Sequence, residues 1–220
     1  MNGRICIVAP TIPPDFGGGG RRMLNQALYL SKKGYDISLI TNTANHGISE
    51  NELSIKVIEL PEWYANKYQD ENLIRFFKTV YYQPVIIYKL LNYLWEAKPQ
   101  IIHLVNSLSR LSFYTVLLAK LLGIKVINST TLHGSDDPVT MRQEYSLLKN
   151  YILFKCPDAI VSNSPLLYES CKKYGISEDS LYMIPNPVNT EKFSPIDDKV
   201  KLQKLKRKFN TKLTRSNTAG

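Results

Sequence analysis

The chain has few cysteines, and none is arranged for chemistry. Cys6, Cys156 and Cys171 are the only three in 220 residues and none belongs to a C-x-x-C pair. Neither a disulfide framework nor a thiolate zinc site is therefore expected, and a reducing cytoplasm is the natural compartment. No triplet of acidic residues with metal-ligand spacing occurs either, so no metal is expected. Long apolar runs are absent as well: the most apolar stretch, residues 76–95, is interrupted by Lys78, Gln83, Pro84 and Lys89, too broken for a membrane span. The first expected strand starts almost at Met1, which leaves no room for a signal peptide. Acidic residues disappear after Asp198, where Lys199, Lys201, Lys204, Lys206, Arg207, Lys208, Lys212 and Arg215 follow with no counter-charge. Without those eight the formal charge falls from +9 to +1, so the basic balance is a property of the tail. It gives no reason to expect a nucleic-acid partner for the globular part. No repeat at solenoid periods is present.

Glycine, by contrast, is concentrated. Residues 10–22 read P-T-I-P-P-D-F-G-G-G-G-R-R, between an apolar run at 4–9 and a helical pattern at 23–32. This is a strand, a proline-stiffened glycine loop and a helix start. Glycines let backbone N–H groups approach a ligand closely, and a helix N-terminus adds partial positive charge and unpaired donors. With Arg21 and Arg22 beside it, the loop reads either as a cradle for a phosphate or diphosphate or as a ligand-free strand-to-helix turn. The spacing does not fit G-x-G-x-x-G, since Arg22 stands where the last glycine belongs. The second strand, residues 36–41, ends on Thr41 and Asn42 with no acidic residue to hold a ribose. Nicotinamide chemistry is disfavoured.

Further strands are expected at 54–60, 100–105, 124–131, 159–163 and 181–184. The helices between them are expected at 110–122, 139–155 and 165–174, the last capped by Ser164 with Pro165 in its first turn. Seven strands alternating with helices predict an α/β fold: a Rossmann-like, doubly wound, mostly parallel sheet flanked by helices. Residues 63–95 are helical and aromatic, and Pro84 is expected to divide them. Their tyrosines suit a core helix pair, a wall for a sugar or lipid acceptor, or a patch resting on a bilayer. His103, flanked by Ile101, Ile102, Leu104 and Val105, reads as a core residue. Asn106, Ser107 and Ser109 follow that strand's carboxyl end, where open α/β sheets bind ligands. Leu132-His133-Gly134-Ser135-Asp136-Asp137-Pro138 closes another strand. Asp136 or Asp137 can cap the next helix, but capping does not explain His133. A lysine-rich helix is expected from 199 to about 209, and disorder from 210 to 220.

Four stretches then carry a family resemblance, in order: Pro13-Pro14-Asp15-Phe16-Gly17-Gly18-Gly19-Gly20-Arg21-Arg22, Ile101-Ile102-His103-Leu104, Thr131-Leu132-His133-Gly134-Ser135-Asp136, and Ile184-Pro185-Asn186-Pro187-Val188-Asn189-Thr190-Glu191-Lys192-Phe193. Together they resemble the amino-terminal, acceptor-side half of retaining glycosyltransferases of the two-Rossmann-domain (GT-B) architecture, family 4. The resemblance implies a nucleotide-sugar co-substrate, no separate cofactor, and a glycan or lipid acceptor. It would set Gly17, Gly18 and Gly19 beside the donor diphosphate with Arg21 or Arg22 as charge partner, and give His133 the task of orienting the transferred sugar. Acceptor contacts would fall to Asp15, Asn106, Ser107 and Asp136. The exit departs from the family's usual Asn-Gly-Val-Asp by reading Asn186-Pro187-Val188-Asn189, and no two glutamates have the separation of the family's donor-side pair. On this reading residues 1–197 are the acceptor-side domain, and 198–220 lie where a carboxyl-terminal half would begin. The expectation is then half an enzyme, inactive alone, cytoplasmic, with peripheral contact at the inner membrane face. An alternative is a non-catalytic binding module that meets a partner or an anionic membrane through its basic tail.

Overall fold

The computed structural model describes residues 2–13, 18–42, 55–60, 72–105, 109–134, 136–144, 146–187, 190, 203, 204 and 207, with backbone alone for 2, 72–80 and 144. Seven strands form one sheet: β1 (Asn2–Val8), β2 (Tyr35–Thr41), β3 (Ile55–Glu59), β4 (Ile101–Val105), β5 (Lys125–Thr130), β6 (Ala159–Ser162) and β7 (Leu181–Met183). Their order is β3-β2-β1-β4-β5-β6-β7, and every pairing is parallel. Among the described residues six α-helices flank the sheet: α1 (Gly18–Lys32), α2 (Asn72–Ala97), α3 (Arg110–Leu121), α4 (Pro138–Glu144), α5 (Leu147–Phe154) and α6 (Pro165–Lys173). The expected Rossmann-like architecture is what the chain adopts. Its order reverses between β1 and β4, the crevice where such sheets place ligands at their carboxyl ends. Residues 1–185 form one compact unit and residues 186–220 another. Within the second, Gln203, Lys204 and Arg207 are helical, and the other residues of the expected lysine-rich helix lie outside the described residues.

Alternation along the strands feeds two cores. Ile7, Ala9, Ile37, Leu39, Ile55 and Val105 pack with Met23 and Ala27 of α1 on one face. Cys6, Val8, Ile40, Ile102 and Leu104 join Ile86, Leu90 and Leu94 of α2 and Val116 and Ala119 of α3 in the larger cluster. At the amino edge Asp158 ties elements together, accepting from Lys120 Nζ at 2.8 Å, Lys125 Nζ at 2.9 Å and the Val126 amide at 2.9 Å. Burial pushes its carboxyl pKa up, but these hydrogen bonds outweigh that and bring it down to about 2.

Three local expectations are corrected. The glycines at 18–20 are the first turn of α1, because the helix begins at Gly18 and not at Met23. Pro84 does not divide the aromatic segment: α2 runs unbroken from Asn72 to Ala97 with Pro84 inside it. Proline removes one helical hydrogen bond, and the buried stripe Ile86, Leu90 and Leu94 supplies the tertiary packing that keeps the helix going. The single helix expected at 139–155 is two, because Ser146 breaks it by accepting from the Lys149 amide as the N-cap of α5. The Ser164 cap is present as expected, accepting from the Leu167 amide.

Candidate functional site at the carboxyl edge of the sheet

In a parallel sheet every strand-to-helix loop leaves from the same edge. The turn from β1 into α1 and the turn from β5 into α4 therefore open on one rim, with only β4 between their strands. Gly18 and Arg21 are exposed there, Gly19 is half-exposed, and His133 is exposed in its turn. Asp15, Gly17, Asn106 and Ser107 lie outside the described residues.

The glycines are not equivalent. A Cβ on Gly18 would meet nothing within 4 Å, and one on Gly19 would touch only Val105 side-chain atoms at 3.5 Å or more. On Gly20 it would lie 1.7 Å from the Thr11 carbonyl oxygen, and backbone cannot give way as a side chain can. Gly20 is thus the residue that lets α1 start flush against the end of the β1 loop. Its neighbours' amides are left at the rim, where a helix N-terminus favours an anion. Sequence reading picked the three glycines before it and missed this one, because the signal lies in Thr11, nine residues earlier.

The His133 turn is built by two buried aspartates. Asp136 is 2% exposed. Its carboxylate accepts from the Thr131 amide at 3.1 Å, the Thr131 hydroxyl at 2.9 Å and the Leu132 amide at 2.6 Å. Burial raises its pKa, against the pull of those bonds. Asp137 caps α4 by accepting from the Thr140 amide at 3.1 Å, and it also holds the Gly134 amide at 2.7 Å and the Ser170 hydroxyl of α6 at 2.7 Å. Burial pushes the Asp137 pKa up, and the bonds from Ser170, Thr140 and Gly134 more than reverse it. Gly134 takes φ +77°, a left-handed conformation that glycine adopts at little cost. The two carboxylates fold the chain around Thr131 and Gly134, and Leu132 and His133 are left facing solvent. Asp136, expected to touch an acceptor, instead has its carboxylate occupied inside the turn.

Arg22, in the first turns of α1, feels the charge of Asp136 in the other turn. It is half-buried, burial lowers its pKa, and the Asp136 carboxylate opposes that shift. The same guanidinium acts on His103, which lies beneath the rim on the α1 side of the sheet. An amide N–H of Gln26 can only donate, so His103 Nδ1 accepts from it at 3.2 Å, and the ring proton on Nε2 is donated to Ser129 Oγ at 2.7 Å. Burial, and then Arg22, lower the His103 pKa to about 4. The histidine is the neutral core residue expected, with an addition that periodicity could not show: it links α1, β4 and β5 directly below the site.

That shift has a measurable sign. The unfolded chain protonates this imidazole near its ordinary pKa and the folded chain only near 4, so the contribution is complete above about pH 6.5 and is lost as pH falls toward 4. Between pH 7 and pH 5 the wild type is expected to lose about 2 kcal/mol of unfolding free energy from this group. Urea titrations at both pH values should show a correspondingly flatter dependence in His103→Gln, and equal slopes in the two proteins would remove His103 as the cause.

Among the described residues no group of three His, Cys, Asp or Glu side chains is placed to hold a metal ion, and no helix is long and apolar enough to cross a membrane.

A doubly wound parallel domain whose glycine-opened helix and histidine-glycine turn leave from one rim is a Rossmann-like module. More specifically, residues 16–192 match Glycosyltransferase Family 4, and the chain belongs to that family. No curated protein matches it by sequence. Among solved structures it is similar to a glycosyltransferase from Rickettsia africae, at 20% identity and TM-score 0.63, covering 95% of this chain and 50% of that one. It is similar also to Anabaena Alr3699/HepE in complex with UDP and glucose, at 11% identity and TM-score 0.62, with the same coverage. A putative UDP-N-acetylglucosamine 2-epimerase from Listeria monocytogenes, at 10% identity and TM-score 0.55, covers 82% of this chain and 44% of that one. At such identities the likeness is one of fold, and glycosyltransferases and epimerases share it. The family match is what makes this chain a glycosyltransferase-like module. The chain spans about half the length of the solved structures it matches.

Proposed function

We propose that this chain is the acceptor-side half of a retaining glycosyltransferase that moves a sugar from a nucleotide-sugar donor to a glycan, lipid or small-molecule acceptor. The observation that carries the proposal is the family match over residues 16–192 together with the shared rim of Gly18, Gly19, Arg21 and His133. The chemistry suits these residue types. A departing nucleoside diphosphate gains negative charge, which helix N-terminal amides and a guanidinium stabilise without having to reorganise. His133, exposed beside that rim, orients the transferred sugar. HepE, a neighbour of similar fold, is in complex with UDP and glucose, so a uridine-diphosphate sugar is the first donor to try. The half of the donor site that this rim lacks comes from a second Rossmann domain, and turnover depends on it. Two of the three thiols, Cys6 and Cys171, are buried and free, which suits a reducing cytoplasm.

Calorimetric titration with UDP-sugars tests this reading. The chain alone is expected to bind weakly and not turn over. With a donor-side domain supplied, affinity rises and transfer appears, and Arg21→Gln with Arg22→Gln weakens donor binding at least tenfold, about 1.4 kcal/mol. Tight donor binding or transfer by the chain alone would contradict the division of labour, and an unaltered affinity in the double variant would remove the arginines from the phosphate site.

A further inference from the structure

The aromatic helix holds a feature that the rim does not explain. From residue 81 onward the exposed large apolar side chains of α2 are Tyr81 (70% exposed), Tyr88 (70%), Leu91 (39%) and Trp95 (64%), and Pro84 is exposed with them. Their spacing alternates three and four residues, the a/d pattern of a helix that packs on another helix, and the next d position is Lys98, just past the helix end. Ile86, Leu90 and Leu94 already anchor α2 to the sheet, so this is a second, outward apolar stripe. A groove of about 300 Å³ runs along it, lined by Tyr88, Leu91, Asn92 and Trp95 and by Leu122 after α3. Taking roughly 150–250 Å² for each aromatic side chain, the stripe shows about 500 Å² of apolar surface. That is at the upper end of what monomers leave uncovered and approaches the ~800 Å² per partner of a standard interface.

We propose that this stripe is a self-association surface, on which α2 of a second copy of the chain packs antiparallel about a two-fold axis. The residues themselves select that occupant. Antiparallel packing sets each a position against a d position, so Tyr88 meets Leu91, Pro84 meets Trp95 and Tyr81 meets Lys98, each pair occurring twice. All six positions are thereby used. A parallel pair would set Lys98 against Lys98, whereas the antiparallel pair offers each lysine a tyrosine face, a cation–π contact of the kind Lys98 already makes with Trp95 at 5.9 Å. The flank carries both signs, Lys89 and Glu96, the latter bonded to Asn92 at 2.9 Å. Mixed charge suits a copy of itself better than a uniformly anionic bilayer.

Sedimentation equilibrium on the full chain from about 1 to 100 µM tests the proposal. The mass is expected to rise from monomer to dimer over that range. Tyr88→Glu should stay monomeric with an unchanged thermal midpoint, since Tyr88 is exposed. Leu148→Glu, on the separate apolar patch of α5, should dimerise like the wild type. A wild type that is monomeric at the highest concentration, a Tyr88→Glu variant that still dimerises, or equal loss in Leu148→Glu would each overturn it. So would a monomer that instead collects on phosphatidylglycerol vesicles in a Tyr88-dependent way. For the register, Trp95 residues lie about 16 Å apart along the axis of an antiparallel pair, too far for a disulfide. Rapid homodisulfide formation by Trp95→Cys would refute that arrangement.

Discussion

Gly20→Ala is expected to lower the unfolding free energy by about 3 kcal/mol, although alanine ordinarily favours a helix over glycine by about 1 kcal/mol. The added Cβ would sit 1.7 Å from the Thr11 carbonyl oxygen and 2.8 Å from its carbon. Relief requires moving the first turn of α1 or the loop after β1, and α1 is pinned by Met23 and Ala27, both fully buried against β1 and β2. Gly18→Ala is the control: its Cβ meets nothing within 4 Å, so helix propensity alone should leave it neutral or slightly stabilised. Denaturant midpoints with unchanged m-values measure both. Should the two substitutions behave alike, α1 is not braced on Thr11 and the rim amides have no fixed position.

His133→Ala is expected to do the reverse, sparing the fold and costing activity. The side chain is exposed, and the turn beneath it is held by Asp136, Asp137 and Gly134 with no contribution from the imidazole. With a donor-side domain supplied, kcat should fall about 10²–10³-fold, the loss typical of removing one preorganised polar group from a transfer site. The urea midpoint should stay within experimental error. Full turnover in this variant would leave the histidine as an incidental passenger of a glycine turn. Asp137→Ala would give the opposite pattern to His133→Ala, because it strips partners from the Gly134 and Thr140 amides and from Ser170, and destabilises by about 2 kcal/mol or more.

Legibility differed between parts of the chain. Ile101–Val105 is a short, mostly apolar run after Lys98-Pro99, Lys125–Thr130 is a strand rich in β-branched residues that follows Gly123, and the alternation of such strands with helical spacing leads to a parallel doubly wound sheet whatever the remaining details. Ser164 was readable as a cap because Ser-Pro before a helical pattern acts through its nearest neighbours. Ser146 was not, since nothing in Tyr145-Ser146-Leu147 distinguishes a capped break from a continuing helix. Pro84 misled for the converse reason: a local rule against proline was overridden by packing at Ile86, Leu90 and Leu94. The core reading of the aromatics failed for Tyr81, Tyr88 and Trp95, which share one outward face, and Tyr93 turned inward to hydrogen-bond Ser38.

The amino-acid sequence by itself determined the class of fold, the family, and the placing of a glycine-opened helix and a histidine-glycine turn after two strands of one sheet. Those features follow from periodicity and from residues adjacent in the chain. Only the tertiary structure decided which glycine is sterically required, that Asp136 builds the turn, that His103 is neutral between Gln26 and Ser129, and that α2 carries a bare aromatic stripe. Each of those depends on what a residue meets across the fold: Thr11 for Gly20, Ser170 for Asp137, Ser129 for His103. Such contacts are set by how the sheet stacks its crossovers, and no local pattern encodes them.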